Sequence, residues 1–210
     1  MKQPALFLDR HQALVKGGRR TTDTAQMQLA DGVGESLRTL SEQGYRLFVL
    51  SNQTGVSLGD YQDADVITAS LHLRALFARH KVRIEGIYYC PHAPSSELNS
   101  TASDCTCRLP APGLLLQAAN EHAINLAASW VVGSENLVTA GKRVGLSSIL
   151  LLDPDVQDTE DSLADAVVAN CREAAEYIQS HTSSYEVSAS GKDASGKYLA
   201  NKVTTLAATS

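Results

Sequence analysis

Short runs that are apolar at every position alternate along the chain with stretches whose apolar residues recur every three or four positions. Ala5-Leu-Phe-Leu8 is a continuous apolar run, as in a strand buried on both faces, and it ends in Asp9. Residues 10 to 30 hold no sustained period and are rich in Gly, Thr, Gln and Arg, which predicts a long loop of the kind that often carries function. Asp31-Gly32 opens a helix with Val33, Leu37 and Leu40 on one face, and Gly44 stands where a left-handed C-cap belongs. Tyr45 to Leu50 reads as a second buried strand ending in Ser51-Asn52. A helix is predicted over 61 to 80, with Val66, Leu73, Leu76 and Phe77 inward, and a third strand over Ile84 to Tyr89. Residues 90 to 111 read as an irregular loop with three cysteines, and Pro112 starts a helix whose apolar face is Leu115, Leu116 and Ala119. Ser129 to Val132 is a fourth strand ending in Gly133-Ser134, and a short helix follows, its turn ended by Gly145. Ser148 to Leu152 is a fifth strand ending in Asp153-Pro154, and helical patterns recur near 161 to 168 and 171 to 180.

Strand and helix thus alternate five times, which predicts an α/β fold with a doubly wound, mostly parallel sheet and helices on both faces. In such sheets ligands bind beyond the carboxyl ends of the strands, and Asp9, Ser51 and Ser134 each sit at such an end. Residues 1–180 read as one domain. After Ser180 the composition shifts to Ser, Thr, Lys, Gly and Ala, and residues 181–210 read as a flexible tail or loosely docked arm.

Composition narrows the partners. The chain has 210 residues, of which 43% are hydrophobic, enough to bury a core of its own. Its formal charge is -5 and its Lys and Arg are scattered, with only the short clusters Lys16 to Arg20 and Arg79 to Arg83. No basic stripe exists to neutralise a phosphate backbone, which argues against a nucleic-acid partner. No apolar run reaches the ~18 residues that span a bilayer, and Ala5 to Leu8 is too short for a signal-peptide core, so no membrane partner is expected and the expected location is the cytoplasm. Four cysteines fit a reducing compartment if three of them bind metal.

Cys90-Pro91-His92, then Cys105-Thr106-Cys107, offers three sulfurs and one imidazole, the donor set of a closed structural zinc site. A disulfide between Cys105 and Cys107 would be strained by their closeness in the chain, so metal is the better use; the bland alternative is reduced thiols and a surface histidine. A closed site leaves no position for substrate, and its task would be to hold a loop that has no core of its own. Cys171, in a helical pattern, reads as a small core residue.

Tyr88-Tyr-Cys-Pro-His92, followed by Cys105-Thr-Cys-Arg108 and Pro110, resembles the zinc loop of the heptose-1,7-bisphosphate phosphatases, relatives of the histidinol-phosphate phosphatases within the haloacid-dehalogenase-like superfamily. Phe7-Leu-Asp-Arg10 resembles the family's first motif and Leu50-Ser-Asn-Gln-Thr-Gly55 its second, and roughly residues 5 to 180 fall in register. The resemblance implies a Rossmann-like domain with a zinc loop over 88–110 and no large cap domain. It places Asp9 at the nucleophile, Ser51 and Asn52 at the phosphate-binding strand end, Arg108 beside the substrate phosphate, and Cys90, His92, Cys105 and Cys107 on structural zinc. Other positions depart from it. His11 replaces the second aspartate, the general acid; Gln12-Ala13 replaces the Gly-Thr that follows; Leu109 replaces a lysine; and Gly133-Ser134 and Val138 replace acids of the last motif.

A carboxylate that attacks a phosphate dianion meets like-charge repulsion, which magnesium and lysine normally offset. With neutral side chains at 109 and 134, magnesium is not expected, and Asp9 reads either as a vestigial nucleophile or as a strand-end carboxylate that accepts backbone N–H bonds. Ser51 reads likewise as a vestigial phosphate ligand or as an N-cap. The first functional reading is a pseudophosphatase that binds a sugar phosphate or a protein partner without turnover. The alternative is an active sugar-phosphate phosphatase with a rewired acid, for which an imidazole is chemically competent, or with a metal ligated by Glu135. A metal-independent hydrolase of the dehalogenase kind ranks third, because Leu109 leaves it no lysine.

Overall fold

The computed structural model describes residues 2–16, 22–94, 105–152, 162–182 and 202–205. Among the described residues, seven parallel strands form one sheet in the order β6-β5-β4-β1-β2-β3-β7. They are β1 (Ala5–Asp9), β2 (Arg46–Asn52), β3 (Ile84–Cys90), β4 (Trp130–Gly133), β5 (Ser147–Leu151), β6 (Ala166–Val168) and β7 (Lys202–Thr205). The helices are α1 (Val33–Glu42), α2 (Gly55–Leu58), α3 (Asp63–Arg79), α4 (Gly113–Glu121), α5 (Glu135–Lys142) and α6 (Cys171–His181).

The apolar runs are continuous because the sheet has a core on each side. Side chains alternate along a strand. Leu6 and Leu8 of β1 therefore join Leu47, Val49 and Val132 against Leu37 of α1, Leu73 of α3 and Ile178 of α6. Ala5 and Phe7 face the other way, with Phe48, Leu50 and Val131, against Leu114 and Leu115 of α4 and Leu137 of α5. A parallel sheet needs such cover, since each crossover helix lies on a face.

The order reverses at β1: the chain moves outward to β2 and β3, then returns to β4 on the opposite side. The carboxyl ends of β1 and β4 thus flank the crevice where such sheets bind ligands.

Three differences from the sequence reading have physical causes. The loop after β1 begins with a single π-type turn, Arg10–Leu14, and closes through an isolated antiparallel bridge between Val15 and Leu29. The segment near 161 to 168 is not a helix: Ala166–Val168 adds a short strand to β5, where β-branched residues suit the pleat better than a helical turn. Within 181–210, helix α6 continues to His181, and Lys202–Thr205 pairs with Gly86 to Tyr89 on the outer side of β3, an edge whose backbone groups would otherwise go unpaired. The rest of that segment, Asp153-Pro154 and residues 95–104 of the cysteine loop lie outside the described residues.

Cys171 is buried as expected; its Sγ donates to the Ala13 carbonyl at 3.0 Å, and burial pushes its thiol up to about 12. Among the described residues, no helix is long and apolar enough to cross a membrane.

Ser129, fully buried, closes the start of the central ladder. Its Oγ accepts from the Ala5 N–H at 2.8 Å and donates to the Asn125 carbonyl at 2.6 Å. Ser129→Ala would leave a buried N–H without that acceptor, so we expect a loss of about 1–3 kcal/mol in urea unfolding; an unchanged midpoint would contradict this role.

Candidate functional site

Asp9 ends β1 and serves as the cap of the π-type turn. Its Oδ1 accepts from the His11 N–H at 2.9 Å and the Gln12 N–H at 3.2 Å, and its Oδ2 accepts from Ser134 Oγ at 2.7 Å. The sequence thus brings Asp9 and Ser134 together across the β1–β4 crevice, as the strand-end rule expects. Ser134 stands at the N-cap of α5, yet it makes no side-chain cap there; its hydroxyl hydrogen goes to the carboxylate. The approach is close. A Cβ on Gly133 would lie 2.3 Å from the Asp9 Cβ, and Gly133 has φ 153, so only glycine fits.

Ser51 and Asn52 end β2. Ser51 is buried and its Oγ accepts from Gln53 Nε2 at 3.0 Å, so it is not the cap of α2. Asn52 makes a two-way bond with the Leu109 backbone: its Nδ2 donates to the Leu109 carbonyl and its Oδ1 accepts the Leu109 N–H, each at 3.0 Å. Arg108 Nη1 donates to the His92 carbonyl at 2.7 Å and to Thr54 Oγ1 at 2.9 Å. Of the three residues assigned to phosphate, Asn52 and Arg108 therefore tie the two halves of the cysteine loop to the β2 end in this structure. Leu109 packs into the α4–α5 side core at 3% exposure, and Val138 is buried on α5. Glu135 Oε2 accepts from Ser162 Oγ at 2.8 Å. Gln53, which sequence reasoning passed over within its own motif, joins the ends of β1 and β2: it lies 3.4 Å from His11 Nε2 and accepts from Tyr61 OH at 2.9 Å.

The donors of Cys90, His92, Cys105 and Cys107 all lie within 4.8 Å of one another. Cys90 Sγ is 3.1 Å from Cys107 Sγ and 3.5 Å from Cys105 Sγ, Cys105 and Cys107 are 3.3 Å apart, and His92 Nδ1 is 3.4 Å from the sulfurs of Cys90 and Cys107. Four soft or borderline donors in one compact group fit a single tetrahedral ion. Interaction with Cys90 holds the Cys107 thiol down to about 5, while the same contact and burial push the Cys90 thiol up, so a thiolate, the form that binds metal, is favoured at Cys107.

Separate elements hold the two halves. Gln53 N–H donates to the Cys90 carbonyl at 2.7 Å, and Ser57 Oγ donates to the Pro91 carbonyl at 2.8 Å. The other half packs on the start of α4, where a Cβ at Gly113 would meet the Thr106 carbonyl oxygen at 2.3 Å.

No family model matches the chain. It is 31% identical over 168 residues to the D-glycero-beta-D-manno-heptose-1,7-bisphosphate 7-phosphatase of Salmonella typhi, covering 79% of this chain and 89% of that protein. With the enzyme of the same description from Yersinia pestis it is 35% identical over 132 residues, 63% of this chain and 70% of that protein. Among solved structures, D,D-heptose 1,7-bisphosphate phosphatase from B. bronchiseptica, complexed with magnesium and phosphate, matches with a TM-score of 0.71 at 19% identity, over 87% of this chain and 100% of that one. The corresponding phosphatase from Burkholderia thailandensis matches with a TM-score of 0.59 at 19% identity, over 85% of this chain and 99% of that one. At these identities the structures speak for the fold.

Ser134→Ala would remove a hydrogen bond to a carboxylate and no helix cap. We expect a loss of about 1.5–3 kcal/mol by urea unfolding; a loss below about 0.5 kcal/mol, the size of an ordinary surface change, would contradict the tie to Asp9.

Proposed function

The chain belongs to the heptose-1,7-bisphosphate 7-phosphatase family of haloacid-dehalogenase-like proteins, and from that premise we propose that it is a catalytically impaired member, a pseudophosphatase of the cytoplasm that binds a sugar phosphate at the β1–β4 crevice without efficient turnover. The observation that carries this reading is the state of Asp9. Both of its oxygens accept hydrogen bonds from neutral donors, and the donor on Oδ2 is Ser134, where the family's motif has an acid. Leu109, at the position of the family's lysine, is buried among apolar side chains.

Electrostatics sets the scale of the impairment. A unit charge about 4 Å away at an effective dielectric of about 20 contributes about 4 kcal/mol. Each ~1.4 kcal/mol is a factor of ten in rate. Two missing positive charges at the transferring phosphoryl group would therefore slow the reaction by about a million-fold. Arg108 is the cation assigned to the phosphate, and its Nη1 is engaged with Thr54 and His92.

The cysteine–histidine group is proposed as a structural zinc site. Zinc–sulfur bonds of about 2.3 Å and zinc–nitrogen bonds of about 2.0 Å place tetrahedral donors about 3.8 Å apart for sulfur pairs and about 3.5 Å for sulfur–nitrogen pairs. Five of the six donor pairs, at 3.1 to 3.5 Å, need only a slight opening, and the sixth, His92 with Cys105, lies within 4.8 Å. Such an ion would fasten the loop between β3 and α4, and it would take no part in phosphoryl chemistry.

A panel of sugar bisphosphates, assayed with and without magnesium, tests the first part. We expect no phosphate release at ordinary enzyme rates, thermal stabilisation by at least one sugar phosphate, and gain of magnesium-dependent release in the triple variant His11→Asp, Leu109→Lys, Ser134→Asp. Release by the unmodified chain at ordinary rates, lost on Asp9→Asn, would instead establish the active alternative. Elemental analysis tests the second part: about one zinc per chain is expected, and less than about half an equivalent would reject the four-ligand site.

A further inference from the structure

Helix α3 is apolar on the side it buries and apolar again on the side it shows. Its exposed positions between Asp65 and Arg79 are Ile67, Thr68, Leu71, Ala75 and Ala78. Leu71 is 56% exposed and Ile67 41%. Arg74, the one Lys, Arg, Asp or Glu in that stretch, turns inward and donates to the Ile84 carbonyl. Thr68 satisfies its hydroxyl within the helix, on the Ala64 carbonyl at 2.8 Å. The other helices on this face of the sheet show charge to the outside: α1 exposes Glu35, Arg38 and Glu42, and α6 exposes Arg172, Glu173 and Glu176. A helix that lacks a polar face is one whose outer side has something to meet.

The order of its side chains says what fits. Leu71 is the middle residue of Asp63–Arg79. Successive residues rise by about 1.5 Å, so in an antiparallel copy centred on Leu71 each residue meets the one equally far beyond the centre. Ile67 is then level with Ala75 of the second copy, Ala64 with Ala78, and Leu71 with itself. Large side chains fall beside small ones, which lets two helix axes approach closely. The ends match as well. Asp63 and Asp65 lie in the first turn and Arg79 in the last. The antiparallel arrangement therefore sets acids beside a base at both ends and opposes the two helix dipoles. A parallel arrangement would set acid beside acid and base beside base.

We propose that the outer face of α3 is a self-association surface, on which a second copy of this chain docks its own α3 antiparallel about a two-fold axis at Leu71. A two-fold contact uses the same patch twice, and the mirrored order of sizes with reversed charges suits that use. The proposal stands apart from the sugar-phosphate reading of the crevice, so either can fail alone. A single helix pair buries less than the roughly 1,200 Å² of a standing interface, so the dimer is one that dissociates on dilution.

Sedimentation velocity of the full chain from about 1 µM to about 500 µM, a span that covers weak association, should show the average mass rising from monomer toward dimer. Leu71→Glu sets two like charges on the axis, and Ala75→Glu sets one beside each Ile67. Both positions are exposed, so each variant should keep the native melting temperature. Each should weaken the dimer by at least about tenfold. The register is read separately in Arg79→Lys, whose introduced amine can be joined to an acid by carbodiimide. Asp65 and position 79 stand about 21 Å apart along one helix, too far for a direct bond, so a link between them reports two copies. We expect that link, from Asp63 or Asp65, and its loss when Leu71→Glu is added. A chain that stays monomeric throughout overturns the proposal and leaves the face to another occupant, a further segment of this chain or a different protein. A dimer that both glutamate variants leave intact overturns it too, and so does a dimer in which no first-turn acid links to position 79.

Discussion

A carboxylate at the end of a strand with a core on both sides is largely cut off from water, so the protein has to solvate it. At Asp9 this is done by two backbone N–H groups of the π-type turn and by one hydroxyl from the start of α5. The three bonds gather the end of β1, the turn that follows it and the β4–α5 junction onto one pair of oxygens. The same oxygens would have to be available, and ringed by positive charge, if the carboxylate were to attack a phosphorus atom. Solvation by neutral donors and activation for attack are competing uses of one group. In this structure neutral donors occupy both oxygens of Asp9, which is the first of these uses.

Much of this was legible in the amino-acid pattern. The five central strands stand out because both faces are covered, so most of their positions are apolar, and the ends of β1 and β4 mark where Asp9 and Ser134 meet. The gathering of Cys90, His92, Cys105 and Cys107 into one group that could hold a metal was legible because Cys and His at short spacing have few other uses. What the pattern did not reveal depends on partners distant in the chain. Ala166–Val168 is too short to show a period and becomes a strand only beside β5. Lys202–Thr205 is a strand because the edge of β3 is there to pair with it. Asn52 and Arg108 bond to backbone groups of Leu109 and His92, which come within reach only once two loops have folded against each other. Gln53 lay inside a recognised motif, but its bond to Tyr61 gave no sign in the sequence.

The cysteine loop and the crevice are parts of one assembly. The end of β2 sends Asn52 to the second half of the loop and the Gln53 N–H to the first, while Arg108 bridges between them. The Gln53 side chain meanwhile turns toward Ser51 and His11. An ion in the cluster would thus complete a frame already tied at several points, and strain in that frame would be felt at the floor of the crevice through a single residue.

The contact between Gly133 and Asp9 also bears on how this lineage could change. Position 133 has no room for any side chain, so a chelating acid cannot arise there by mutation, however strongly selection favoured it. On the impaired reading proposed above, a gain of hydrolysis would run through its neighbour at 134, and its first step would break the bond that now steadies Asp9. Such a step sacrifices rigidity before any catalytic gain is in hand, a fitness valley that would tend to keep the present state in place.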